Sequence, residues 1–149
     1  MIYAHFIGNQ LITWRQSGFI KKDSTINQLL SITDMIRKTF DCEPPKEVRA
    51  IFLDISKAFD KVWHEGLIFK LKQNGVEGDV LNIITSFLTD RKQRTVINGK
   101  TSSWRDILAG VPLGSVLGPL LFLIYINDIV VDMKLMHEFL LLTHLYLKL

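Results

Sequence analysis

The stretch "AIFLDISKAFDKVW", Ala50 to Trp63, decides how the rest of the chain is read. Apolar Ile51, Phe52 and Leu53 run straight into Asp54, and a second acid, Asp60, follows six positions later. With the residues before it, "VRAIFLD" reads as a buried strand that ends on a carboxylate. An Asp in that place commonly caps a helix or forms a turn, and Ser56 and Asp60 suit the same purpose. The chemical alternative is a metal ligand, since a carboxylate held on a rigid strand end can coordinate Mg²⁺, a hard cation that prefers oxygen. One carboxylate is too few for two-metal catalysis, so the pattern alone leaves both readings open.

Outward from this stretch the elements alternate. Upstream, "STINQLLSITDMIRKTF" opens on the possible caps Ser24 or Thr25, and Ile26, Leu29, Leu30, Ile32, Ile36 and Phe40 form a rough apolar face, which predicts a helix. The paired prolines of "DCEPPKE" (Asp41 to Glu47) stop it. Downstream, "HEGLIFKLKQNGV" predicts a short helix ending at Gly75. "GDVLNIITSFLTDRK" predicts another, with Asp79 as cap and Ile83, Ile84, Phe87 and Leu88 on the buried side. In "RTVINGKTSSW" the Asn98-Gly99 pair between extended runs predicts a hairpin. The segment "LLFLIYINDIV" after the glycine-rich "AGVPLGSVLGP" is apolar enough to be a buried helix or a strand. The class is α+β.

Composition narrows the field. With 149 residues, 48% of them hydrophobic, and no linker-like tract, one compact domain is expected. Lys and Arg number 18 against 15 acids, a net +3 that permits a nucleic-acid partner without requiring one. The single Cys42 excludes an internal disulfide framework and favours a reducing, intracellular setting. "MIYAHFIGNQLITW" lacks the basic flank and cleavage site of a signal peptide. The longest apolar run, Pro119 to Ile126, falls well short of the ~20 residues that span a bilayer, so no membrane partner is expected.

"FLDISKAFDKVWHEGLIFKL" and "FLTDRKQRTVINGKTSSWRDILAGVPLGSVLGPLLFLIYINDI" closely resemble the palm of reverse transcriptases from non-LTR retrotransposons of the LINE type, Jockey- or CR1-like. "LITWRQSGFIKKDSTINQLL" resembles the fingers segment that precedes that palm. The resemblance runs unbroken from about Phe6 to Asp128 and rests on several motifs in the family's order and spacing. It implies part of a right-hand polymerase: fingers over about 6–49, an incomplete palm over 50–128, a degenerate tail over 129–149, and no thumb. The implied reaction is template-directed transfer of a deoxynucleotide to a primer 3′-end, with Mg²⁺ as cofactor. The implied partners are an RNA template, a DNA primer and a deoxynucleoside triphosphate, and the implied setting is the nucleus or cytoplasm.

Carried over position by position, Asp54 matches the first catalytic Asp and metal ligand, and Ile55 lends its backbone carbonyl to one ion. Phe59 falls where the family places the bulky side chain that rejects a ribose 2′-hydroxyl, excluding one oxygen by shape. Its other reading is an ordinary core aromatic beside Val62 and Trp63. Asp60 is no metal ligand in the family and takes a structural role. "AGVPLGSVLGP" resembles the glycine-rich turn beneath template and nucleotide, where Gly110, Gly114 and Gly118 allow close backbone approach. Leu113 stands where the family has Gln, which removes a polar contact beside the nucleotide. Ile20 stands where the family commonly has Arg on a fingers strand, leaving Lys21 and Lys22 as the nearby positive charge. "DRKQR" (Asp90 to Arg94) is either a solvated charge run or, through Arg91, Lys92 and Arg94, a nucleic-acid backbone contact.

The tail departs most. Where the family carries two adjacent acids in a hairpin, "HEFLLLTHLYLKL" has Leu141 and Leu142. Asp128 and Asp132 lie too early to replace them, and Glu138 precedes the hairpin's strand. Two origins fit the pattern, a shift of reading frame between about Asp128 and Glu138 or genuine substitution by leucine, and the bases encoding the tail distinguish them. The expectation is a truncated reverse transcriptase domain that is inactive, because two metal ions need carboxylates from both sides. The rival expectations are a noncatalytic nucleic-acid-binding module and a nonfunctional remnant that barely folds, its palm sheet uncovered.

Overall fold

A computed structural model describes residues 2–14, 16–44, 47–48 and 54–129. Residues 49–53 of the predicted strand Val48 to Asp54, and the tail with Glu138, Leu141 and Leu142, lie outside the described residues. In chain order the elements are helices α1 (Ile2–Gly8) and α2 (Thr25–Phe40), a 3₁₀ turn (Ala58–Lys61), and helices α3 (His64–Gln73) and α4 (Gly78–Leu88). Four two-residue strands follow, β1 (Lys92–Gln93), β2 (Val96–Ile97), β3 (Lys100–Thr101) and β4 (Arg105–Asp106), and then helix α5 (Leu117–Ile126). The class is α+β. The elements fall into two units, one holding the chain up to Ile12 with Lys57–Asp128, the other holding Thr13–Ser56.

In the first unit the core is helical. Helix α3 buries Leu67 and Leu71, α4 buries Ile84 and Leu88, and α5 buries Leu121, Phe122, Leu123, Ile124 and Ile126. Each such side chain contributes roughly 1.5–3 kcal/mol on leaving water. The open choice for "LLFLIYINDIV" resolves as a helix. It is apolar all round, and a helix satisfies its backbone groups internally while every side is buried. Ser115 starts it: its hydroxyl donates to the Pro112 carbonyl (2.7 Å) and accepts from the Gly118 amide (2.9 Å). Lys70 ties α3 to its far end, donating to the Tyr125 carbonyl (2.5 Å) and to Asp128 (2.6 Å). The N-terminal segment docks on the same unit: His5 bonds the Asn74 carbonyl (2.7 Å), Asn127 bonds the Leu11 carbonyl (2.8 Å), and Phe6 is buried.

Helix α3 stops as predicted. Gly75 has φ +76°, its amide donates to Lys72 and the Val76 amide donates to Leu71, with Val76 and Leu71 both buried. This paired arrangement satisfies two of the helix's last carbonyls. Helix α4 differs in detail from the prediction. Glu77 is the cap residue, Asp79 lies in the first turn, and Ile83 is 65% exposed although Ile84 beside it is buried. Adjacent helical residues point about 100° apart, and the inward stripe follows Ile84 and Leu88.

In the second unit, Ser24 caps α2, accepting from the Asn27 amide (3.2 Å), and Asp34 pairs with Lys38 (2.6 Å) and Arg37 (3.2 Å). Most of the predicted apolar face is solvent-facing instead: Ile26, Leu29, Leu30 and Phe40 are exposed, Ile32 and Ile36 are half-buried, and Gln28 is the buried residue. A cap and local pairs suffice to set a helix, but a stripe is buried only where another surface meets it. The lysine pair also differs from a strand. The Asp23 amide bonds the Ile20 carbonyl (3.1 Å), so Lys21 and Lys22 occupy the centre of a turn, with Lys22 at φ +72°. Asp23 accepts from the Ser17 hydroxyl (2.5 Å) and the Ser24 amide (2.8 Å).

Candidate functional site

The glycine-rich segment runs antiparallel to the end of the opening stretch. The Gly110 amide donates to the Val62 carbonyl (2.8 Å), the Val111 amide to the Phe59 carbonyl (2.9 Å), and Trp63 bridges Ala109. Gly110 is required twice over. Its φ is +90°, and a Cβ there would lie 2.8 Å from Asp60 Cα and 2.9 Å from its carbonyl oxygen. Asp60 therefore acts through its backbone, as the floor on which Gly110 sits.

The Gly110 carbonyl is held from the other side. Arg91 Nη2 donates to it at 2.5 Å and His64 Nε2 at 2.8 Å, with the two nitrogens 3.4 Å apart. Arg91 Nε also donates to the Leu88 carbonyl (3.0 Å), placing a cation at the C-terminus of α4 where the helix dipole favours one. Burial lowers the Arg91 pKa, and the guanidinium remains charged. A charge-assisted bond to a carbonyl is among the stronger kinds, so this latch fixes where the next turn begins.

That turn carries two of the predicted nucleotide-binding positions. Leu113 is 69% exposed, and Gly114, at φ +78°, has open space where a Cβ would stand. Phe59 is 6% exposed, its ring stacked on Phe122 with centroids 4.6 Å apart and planes 28° from parallel. The ring thus does the core work of its second reading, whatever else its edge meets. Asp54 and Ile55 are exposed residues of the second unit, as are Lys21 and Lys22. Phe59, Arg91, Lys92, Arg94, Leu113 and Gly114 belong to the first.

Among the described residues no group of three His, Cys, Asp or Glu side chains could hold a metal ion. Asp54 supplies one carboxylate, and by the resemblance its partner acids fall on Leu141 and Leu142, whose side chains carry no donor atom. That set does not fit a two-ion centre, which needs oxygen ligands from more than one side.

Lys92 and Arg94 lie on an antiparallel ribbon closed by the predicted turn, with Asn98 at φ +49° and Gly99 at +76°. The register is Lys92 with Asp106 and Gln93 with Arg105, then Val96 with Thr101 and Ile97 with Lys100. Lys92 pairs with Asp106 at 3.6 Å, and Arg94 lies 4.6 Å from the centre of the Trp104 ring. His64, Ser115 and Trp104 were not legible as site residues. The one available signal was Ser115, a hydroxyl residue just before an apolar run.

Comparison with known proteins gives a consistent set. The family model described as reverse transcriptase (RNA-dependent DNA polymerase) matches residues 1–146. The chain is 38% identical over 114 residues to a probable RNA-directed DNA polymerase from transposon BS of Drosophila melanogaster, covering 76% of this chain and 12% of the relative. It is 36% identical over 113 residues to that of the X-element of the same fly, covering 76% and 12%. It is 36% identical over 136 residues to the RNA-directed DNA polymerase from its mobile element jockey, covering 85% and 14%. The chain therefore spans about one-eighth of the length of these curated relatives. No solved structure matches it. Among the described residues no helix is long and apolar enough to cross a membrane.

Proposed function

The chain belongs to the reverse transcriptase family, as a reverse transcriptase domain fragment of non-LTR retrotransposon type, and on that premise we propose that it is a polymerase piece that no longer catalyses. The family reaction assigned to it is RNA-directed DNA synthesis, with nucleotidyl transfer to a primer 3′-end. In this reading Asp54 is the remaining Mg²⁺ ligand, with the Ile55 carbonyl beside it. Phe59 screens the sugar, and the turn at Leu113 and Gly114 meets the nucleotide. Lys21, Lys22, Arg91, Lys92 and Arg94 meet RNA template and DNA primer in an intracellular setting.

The observation that carries the reading is the family match over residues 1–146. A local feature supports it: the glycine-rich turn is pinned by backbone bonds, His64 and Arg91, and yet presents Leu113 and Gly114 to solvent. A rigid support under an open turn suits a ligand-facing role. Inactivity follows from the donor count. In this reading Leu141 and Leu142 stand where the family carries acids, so that hairpin brings no carboxylate to join Asp54 in balancing the charge of two ions and a triphosphate. The test is primer extension by the purified chain with Mg²⁺, an RNA template and a DNA primer. No extension above background is expected, and metal-dependent extension abolished by Asp54→Asn refutes the proposal.

A further inference from the structure

The ribbon from Lys92 to Asp106 has a feature that the polymerase reading does not use, an open edge of backbone donors and acceptors. Every residue in it is exposed, and among the described residues its strands pair only with each other, β1 with β4 and β2 with β3. The hydrogen bonds fix which way each residue's backbone points. The Ile107 amide donates to the Arg91 carbonyl (2.8 Å) and the Ser102 amide to the Thr95 carbonyl (2.9 Å). In an antiparallel pair inward and outward residues alternate, so residues 91, 93, 95 and 97 turn their backbone groups to the opposite strand. Lys92, Arg94 and Val96, between them, turn theirs to solvent.

The two edges of the ribbon are not alike. Gln93 pairs with Arg105 and Val96 with Thr101, so one residue, Arg94, stands opposite two, Ser103 and Trp104. That is a β-bulge, which bends and twists the strand that carries it. A bulge guards an edge against further pairing, and this one guards the edge through Thr101 and Trp104. The edge through Lys92, Arg94 and Val96 runs without interruption. Strand alternation also puts these three side chains on one face, while Thr95, Ile97, Lys100 and Arg105 stand on the other.

We propose that this edge takes up an extended acidic segment of another protein as a third, antiparallel strand, with acids facing Arg94 and Lys92 and an apolar residue facing Val96. From its N-terminus such a segment runs apolar, any, acid, any, acid. The inference goes beyond the polymerase reading and rests on none of its metal or template chemistry. Three properties select the occupant. The ribbon holds Lys92, Arg94, Lys100 and Arg105 against a single acid, Asp106, and opposite charges facing each other across strands attract. A second copy is disfavoured, because pairing along the whole edge sets Arg94 opposite Arg94, and like charges directly opposite destabilise a sheet. A phosphodiester backbone carries acceptors alone, which suits the amides of Lys92, Arg94 and Val96 but leaves their carbonyls unmet. A peptide strand answers both, with side chains on alternate positions supplying the specificity.

The experiment titrates the purified full chain into a fluorescein-labelled peptide, Ser-Val-Thr-Glu-Thr-Glu-Ser with capped ends, reading anisotropy, and follows amide exchange by NMR with the unlabelled peptide. The expected result is binding that slows exchange at the Arg94 and Val96 amides and leaves Thr101 unchanged. Methylating the backbone nitrogen of the first Glu, which faces Arg94, should weaken binding about 2- to 12-fold, the range for a net ~0.5–1.5 kcal/mol per hydrogen bond at 1.4 kcal/mol per decade. Methylating the Thr before it, whose amide points away from the ribbon, should change little. Val96→Pro removes an outward amide without touching the ribbon's own bonds and should weaken binding likewise, whereas Thr101→Pro, on the bulged edge, should not. Arg94→Glu should lose this peptide and gain the one with Lys in place of the first Glu. No binding by the parent chain overturns the proposal. Equal loss on the two methylations reduces the interaction to charge attraction and overturns it too. So does slowing of the same amides by the chain's own concentration, which identifies a second copy as the occupant, or by a single-stranded RNA where the peptide has no effect.

Discussion

Gly110→Ala is the sharpest test of how the glycine-rich turn is held. Two costs add at this position. A residue with a Cβ at φ +90° is disfavoured by ~1–2 kcal/mol. The new methyl would stand 2.8 Å from Asp60 Cα and 2.9 Å from its carbonyl oxygen, and both are backbone atoms that cannot swing aside as a side chain would. Forcing such an overlap costs ~1–3 kcal/mol through backbone shifts. The expected loss is then ~2–5 kcal/mol out of a total stability of ~5–15 kcal/mol. Gly114→Ala is the control, since Gly114 shares the left-handed backbone, φ +78°, but has nothing within 4 Å of the added carbon. It should lose only the conformational part, ~1–2 kcal/mol. The assay is urea denaturation followed by far-ultraviolet circular dichroism, comparing midpoints at unchanged slope. If Gly110→Ala is no less stable than Gly114→Ala, the close approach to Asp60 is not a feature of the folded protein and the argument fails.

Two further expectations follow from the same structure. Phe59→Ala removes a ring that is buried and stacked on Phe122, so stability should fall by ~3–5 kcal/mol in urea titration, whereas a side chain that served only to screen a sugar would leave the midpoint unchanged. The Ser17 hydroxyl, and after it the Ser24 amide, hold the Asp23 carboxyl below its ordinary pKa. A carboxylate with a depressed folded pKa stabilises above its unfolded pKa, and that contribution disappears as pH falls through the folded value. The second unit should therefore loosen on acidification below about pH 4, and Ser17→Ala should reduce that sensitivity, both read by hydrogen exchange in α2 as a function of pH.

Much of the local structure was legible because its causes are local. Ser24 caps α2 with its own hydroxyl, Gly75 ends α3 because it can take a positive φ, and Asn98-Gly99 turns the ribbon for the same reason. The family, too, was readable in the sequence, in several motifs that follow one another in order, and the family match over residues 1–146 bears it out. What required the tertiary structure depends on residues far apart in the chain. A run apolar on every side, such as Leu117–Ile126, has no period to betray its state, and burial against α3 and Phe59 selects the helix. The stripe on α2 and the exposed Ile83 show the converse, apolar residues with no surface against them among the described residues. Gly110 must be glycine because Asp60, fifty positions earlier, lies under it, and His64 and Arg91 matter because both reach its carbonyl. Arg94 and Trp104 meet through one extra residue in the ribbon's register. Sequence spacing determines which side chains a single element can present, while the partners they meet are decided by the packing of elements against one another.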